Sequence, residues 1–105
     1  MDKAKQDRLA AASWRSGDAA DFLELTEEEA ASIELKLALA EYLRELRTNN
    51  SWTQAQIARR LGSSQSRVAK MEVADPSVSL DLLVKSLLAL GAFRGEVGAV
   101  IARAA

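Results

Sequence analysis

The residues best equipped for chemistry in this chain of 105 residues lie between Gln54 and Met71. That chemistry is hydrogen bonding to nucleic acid rather than bond making. A helix turning about 100° per residue places Ser66, Ala69 and Lys70 opposite Val68 and Met71, with Gln65 at the exposed N-terminal edge. Gln pairs bidentately with adenine, Lys donates to guanine, Ser serves either role, and Ala packs on a thymine methyl group. Arg67 lies to one side of this face, better placed for a phosphate than for a base. Gln54 opens the preceding helix and also suits phosphate, because helix N-termini present N–H groups and a partial positive charge.

Two short helices and a glycine turn must hold these side chains. Ile57, Ala58 and Leu61 form one apolar helical face, Gly62 stops it, and Val68 and Met71 start another. Gly62 fits a position of positive φ. Ala58 is small where steeply crossing helices approach most closely. Ser63 or Ser64 can cap the second helix by accepting from a free N–H of its first turn. An ordinary α-hairpin with a polar outer face would share this spacing.

The flanking sequence supplies more helices. Thr26 and Glu29 make a capping box that opens a helix running to about Thr48. On it, Leu35, Leu39, Tyr42 and Leu46 form a stripe facing the two-helix unit, while Ala30, Ile33, Leu37 and Ala40 form a second stripe nearly opposite, covered by the preceding segment or by another chain. In that segment Asp18 can cap a short helix carrying Phe22, Leu23 and Leu25. Downstream, Ser79 caps a helix whose Leu80, Leu83, Val84, Leu87 and Leu90 make a core stripe. After Gly91, the residues Phe93, Val97, Val100 and Ile101 share one face of a last helix. Gly95 and Gly98 each weaken that helix by about 1 kcal/mol relative to Ala, so it must pack, either on its own domain or as a dimer interface.

The expected organisation is therefore all-α, with an N-terminal extension over residues 1–26 and a domain over 27–105 whose reading motif spans 54–72. The size suits one compact domain, and one proline and five glycines leave no linker. Cysteine and histidine are both absent. This removes disulfides, thiolate metal sites and the commonest general base, so neither an enzyme nor a metal or cofactor is expected. No apolar run suits a signal peptide or a membrane span, so a cytoplasmic, nucleoid-associated protein is expected.

The net charge of −1 hides an asymmetry. Residues 1–50 carry 7 basic and 11 acidic side chains, and residues 51–105 carry 7 and 4, giving −4 and +3. Within the motif stand Arg59, Arg60, Arg67 and Lys70 with no acid, which gives it an electropositive surface. Between Arg15 and Lys36 stand Asp18, Asp21, Glu24, Glu27, Glu28, Glu29 and Glu34 with no cation. Acids complement helix N-termini, and the same field, edged by Asp21, Phe22, Leu25, Ile33 and Leu37, also suits docking of a basic protein. At the N-terminus Lys3, Lys5 and Arg8 are diluted by Asp2 and Asp7, marking a frayed end more than an arm on DNA.

From about Leu43 to Ala92 the chain resembles the Xre family of lambda-repressor-like helix-turn-helix domains. The resemblance rests on Leu43-Arg-Glu-Leu46-Arg47, on Ser51 to Ala55 at the motif's entrance, on Gly62 to Arg67, and on Pro76-Ser77 before a leucine-rich helix. It implies a five-helix domain that binds double-stranded operator DNA, with contacts falling on Gln54, Gln65, Ser66, Arg67 and Lys70. One departure is Val73-Ala74-Asp75, where the family commonly has a glycine-containing turn. The run from Asp21 to Leu37 ahead of such a domain further resembles HigA-type antitoxins. That resemblance implies an antitoxin that neutralises a basic RelE/HigB-like mRNA-cleaving toxin, the pair repressing its own promoter. Separately, the few phosphate contacts one copy can make point to a homodimer on two half-sites of a palindromic operator. A free-standing or phage-type repressor, or a protein-interaction module of the same fold, are the other readings.

Overall fold

The computed structural model describes residues 25–104, which form five α-helices and no strand. They are α1 (Glu27–Asn49), α2 (Gln54–Leu61), α3 (Gln65–Glu72), α4 (Leu80–Ala89) and α5 (Arg94–Ala104). The order is that of a five-helix, lambda-repressor-like domain. The expected helix carrying Phe22 and Leu23, the acids Asp18, Asp21 and Glu24, and the Lys3, Lys5 and Arg8 segment lie outside the described residues. By compactness the chain divides between Glu34 and Leu35, inside α1.

Side chains written into the sequence fix where the helices begin. Thr26 Oγ1 accepts from the Glu29 N–H at 3.1 Å while Glu29 Oε1 accepts from the Thr26 N–H at 3.0 Å. Thr53 and Gln56 make the same reciprocal pair at the start of α2. Of the two serines that could cap α3, Ser64 does so, accepting from the Arg67 N–H at 3.1 Å. Ser79 caps α4 through the Leu82 N–H. Each cap satisfies an N–H that the helix itself leaves without a partner.

The first four helices end in one way, with a residue of positive φ just past the last turn. Gly62 (φ 64°) and Gly91 (φ 100°) do this after α2 and α4, whereas Ser51 (φ 56°) and Ala74 (φ 53°) do it after α1 and α3. In each case the next N–H reaches back five residues, from Trp52 to Arg47 O, Ser63 to Ala58 O, Asp75 to Lys70 O and Ala92 to Leu87 O, at 2.8–3.0 Å. These are Schellman closures, which satisfy carbonyls left open by the last turn. The turn after α3 thus keeps the left-handed geometry expected of glycine although Ala74 occupies it.

The core gathers Leu39, Leu43, Ile57, Val68, Met71, Leu83 and Leu87, all essentially inaccessible. Pairs of α2 with α3, α2 with α4, and α4 with α5 pack together. On α1 the expected stripe is shifted. Leu43, one turn from Leu39, takes the central place, and Leu35, Tyr42 and Leu46 are half-buried at its edges. Tyr42 sits beside Glu96 of α5, and burial first, then that carboxylate, pushes its hydroxyl above the usual range. The opposite stripe is buried at Ala30 and Ala40, half-buried at Leu37 and open at Ile33.

The four residues expected to form one face of α5 are divided. Val97 and Val100 are buried in the domain's own core, while Phe93 is 74% exposed and Ile101 36%. Val97 and Val100 lie three residues apart and face inward together, which holds a helix weakened by two glycines. Only Phe93 and Ile101 of the four are available to another molecule.

Candidate nucleic-acid interface

Two eight-residue helices and the Gly62 turn build the site. Gly62 donates to Arg59 O and Ser63 to Ala58 O, so α2 closes within one turn and α3 starts two residues later. Ile57 and Ala58 of α2 meet Val68 and Met71 of α3 in the core. With those inward positions fixed, Gln65, Ser66, Arg67 and Lys70 are all exposed and Ala69 is half-exposed. The five residues proposed from helical geometry thus lie on the solvent side of α3.

Electrostatics distinguish these two helices from the other three. The first turns of α1, α4 and α5 carry acids, namely Glu27, Glu28 and Glu29, then Asp81, then Glu96. The first turns of α2 and α3 carry none. Acids offset the positive end of a helix dipole, so among the described helices only the helix-turn-helix pair keeps its N-termini open to an external anion. The N–H groups of Gln54 and Ala55, at the start of α2, have no acceptor among the described residues. Arg59, Arg60, Arg67 and Lys70 are exposed. None of them forms a salt bridge among the described residues, whose two ion pairs are Arg47–Glu72 and Lys85–Asp81. Arg60 places its guanidinium carbon over the Trp52 ring, 4.3 Å from the centroid, a cation–π contact.

Gln54 differs from the others in being half-buried. Its Nε2 donates to Glu72 Oε1 at 3.1 Å. Glu72, the last residue of α3, is nearly buried, its side chain 4% exposed. Arg47 of α1 donates to it through Nε and through Nη2, the latter at 3.0 Å, and through Nη1 to the Trp52 carbonyl at 3.3 Å. The hydrogen bond to the Glu72 carboxylate raises the Arg47 pKa above its usual value. This cluster joins the ends of α1 and α3 to the start of α2. Sequence reasoning missed it because its members are 18 and 25 residues apart. One signal was available, in that Glu72 is the sole acid between Glu45 and Asp75.

The turn after α3 is built around Asp75, whose Oδ2 accepts from both the N–H and the hydroxyl of Ser77. These bonds, the hydroxyl's first, hold its carboxyl below the usual range. Lys36 of α1 donates to the Asp75 carbonyl at 3.4 Å. A groove lined by Ser64, Ser66, Arg67, Lys70 and Ser77 runs between this turn and α3.

Of the residues expected to meet a protein partner, Asp21 and Phe22 lie outside the described residues. Leu25 and Leu37 are half-buried, and Ile33 is 42% exposed. Among the described residues no group of acids could hold a metal ion, and no described helix is long and apolar enough to cross a membrane.

Capped α2, the glycine closure and an outward polar α3 with exposed cations define a DNA-binding helix-turn-helix protein. The chain belongs to the helix-turn-helix domain family, whose model matches residues 20–93. No curated protein and no solved structure matches the chain.

Proposed function

We propose that this protein is a sequence-specific transcriptional repressor that lays α3 in the major groove of operator DNA. The observation that carries this reading is the coincidence of three features in one two-helix unit. The open N-termini of α2 and α3, four exposed cations outside the two ion pairs of the described residues, and the base-competent Gln65, Ser66, Ala69 and Lys70 all belong to the same two helices. In this reading Gln65 and Lys70 contact base edges, with Ser66 and Ala69 filling between them. Arg67 and Gln54 contact phosphate and set the register.

A single copy makes few phosphate contacts, and each neutralised phosphate contributes only about −0.9 to the slope of log K against log salt. Binding as a homodimer to two half-sites supplies the missing affinity, and the exposure of Phe93, just before α5, and of Ile101 on it supports a dimer contact there. Titration of duplex DNA by mobility shift across salt concentrations tests the reading. A slope of about −3.6 to −5.4 is expected for two copies with two or three cationic contacts each. A salt-independent complex, or none, contradicts it.

Within that class the chain is assigned as the antitoxin of a toxin–antitoxin pair. Support comes from the resemblance of Asp21 to Leu37, from the acidic run that complements a basic RNA-cleaving toxin, and from the exposure of Ile33 beside it in sequence. Purification of the tagged chain from its host at high salt strips nucleic acid but keeps a tight protein interface. Stoichiometric recovery of a small basic protein is expected. Recovery of the chain alone leaves the repressor and removes the antitoxin.

A further inference from the structure

We infer that Glu72 is a positioning residue for DNA binding, acting through Gln54. This rests on the repressor reading and adds to it a residue that faces no DNA. Three N–H groups converge on the Glu72 carboxylate, two from Arg47 and one from Gln54. An ionised carboxylate only accepts, with about four lone-pair sites for them. The geometry therefore also fixes which way the Gln54 amide faces. Its nitrogen must point at Glu72, since its oxygen would meet a carboxylate oxygen with no proton between them.

One Gln54 N–H is thus committed, and the second stays on the same nitrogen, in the residue that opens α2. A freely rotating glutamine would have to be ordered on binding, and immobilising such a side chain opposes association. Held by Glu72, Gln54 is ordered before DNA arrives. Arg47 holds Glu72 in turn through a two-point contact of fixed geometry, so the chain of positioning runs from α1 through the end of α3 to the start of α2.

Glu72→Gln is the informative change, because it keeps the shape but offers one carbonyl oxygen to three donors and turns an NH₂ group toward a guanidinium. Arg47 takes that oxygen, and Gln54 is released. The experiment is a double-mutant cycle on DNA affinity, using the full chain and a duplex the wild type binds, with Glu72→Gln, Gln54→Ala and the double variant. Each single change is expected to weaken binding about fivefold, the size of one typical hydrogen bond. The double variant should be no weaker than Gln54→Ala alone.

A purely structural role for Glu72 would weaken binding by the same factor whether or not Gln54 is present, and that additive result overturns the inference. If Glu72→Gln fails to fold, Glu72→Asp replaces it in the same cycle, since it keeps the charge while withdrawing the carboxylate from Gln54. Equal affinity of wild type and both single variants also overturns it. Failure of the wild type to bind any duplex overturns the repressor reading instead.

Discussion

Gln65, Ser66, Arg67 and Lys70 differ in what each loses when truncated. Gln65→Ala or Lys70→Ala is predicted to weaken operator binding by about 1–3 kcal/mol and to relax preference at one base pair, the value of one bidentate contact. Arg67→Ala should instead weaken all sequences alike and flatten the salt slope by about 1. Quantitative mobility shifts on a panel of single-base variants separate these outcomes, and a changed sequence preference in Arg67→Ala would show that it meets a base. These outward residues were legible because one inward pair, Val68 and Met71, fixes the phase of the whole helix. Gln54 was only partly legible. Its place at a helix start follows from Thr53, but its bond to Glu72 depends on how α3 ends against α1, and no local pattern encodes that.

Asp75 adds a dependence on acidity. Its carboxyl is held below the usual range by Ser77, so the folded chain binds fewer protons there than the unfolded chain. The resulting stability is fully present above the unfolded pKa and is lost as pH falls through the lower folded value. Asp75→Asn should therefore lower Tm at neutral pH, and its difference from wild type should vanish on acidification. A difference that persists at the acid end of the titration would assign the effect to something other than the charge.

At the scale of elements, the helix ends carry the most information. The starts were readable because Thr26, Thr53, Ser64 and Ser79 cap with their own side chains. The ends were readable only at Gly62 and Gly91, because Ser51 and Ala74 adopt the same left-handed geometry without the residue that advertises it. A left-handed conformation costs an L-residue roughly 1–2 kcal/mol, while glycine forfeits about 0.4–1 kcal/mol through unfolded-state entropy. Ala74→Gly is accordingly predicted to stabilise by about 0.5–1 kcal/mol. Gly62→Ala should destabilise by a similar amount, since no atom lies within 4 Å of the added methyl and only backbone strain remains. Urea titrations of the two variants should move in opposite directions, and a shared direction would refute the common mechanism. Leu43 was missed as a core centre for a related reason. Several leucines on α1 satisfy helical periodicity, and only the packing of the domain core selects Leu39 and Leu43 from among them.

For the molecule as a whole, the charge split of −4 and +3 between halves was legible by counting. How α5 divides its apolar residues was not. Phe93, Val97, Val100 and Ile101 share a face in sequence, yet Val97 and Val100 close the domain while Phe93 stays 74% exposed. If Phe93 belongs to a dimer contact, Phe93→Asp should weaken self-association by about 2 kcal/mol, the burial of one large side chain, and leave the fold intact. Sedimentation over a range of concentrations measures it, and unchanged association would place the contact elsewhere.

The central claim is that α3 reads base sequence, and selection from a pool of random duplex DNA by the purified protein tests it most directly. The expected result is enrichment of a two-fold symmetric site with half-sites about one helical turn apart, abolished by joint alanine substitution of Gln65 and Lys70. Retention of the pool without enrichment would mean that the electropositive face holds DNA by its backbone alone, and sequence-specific repression by α3 would be refuted.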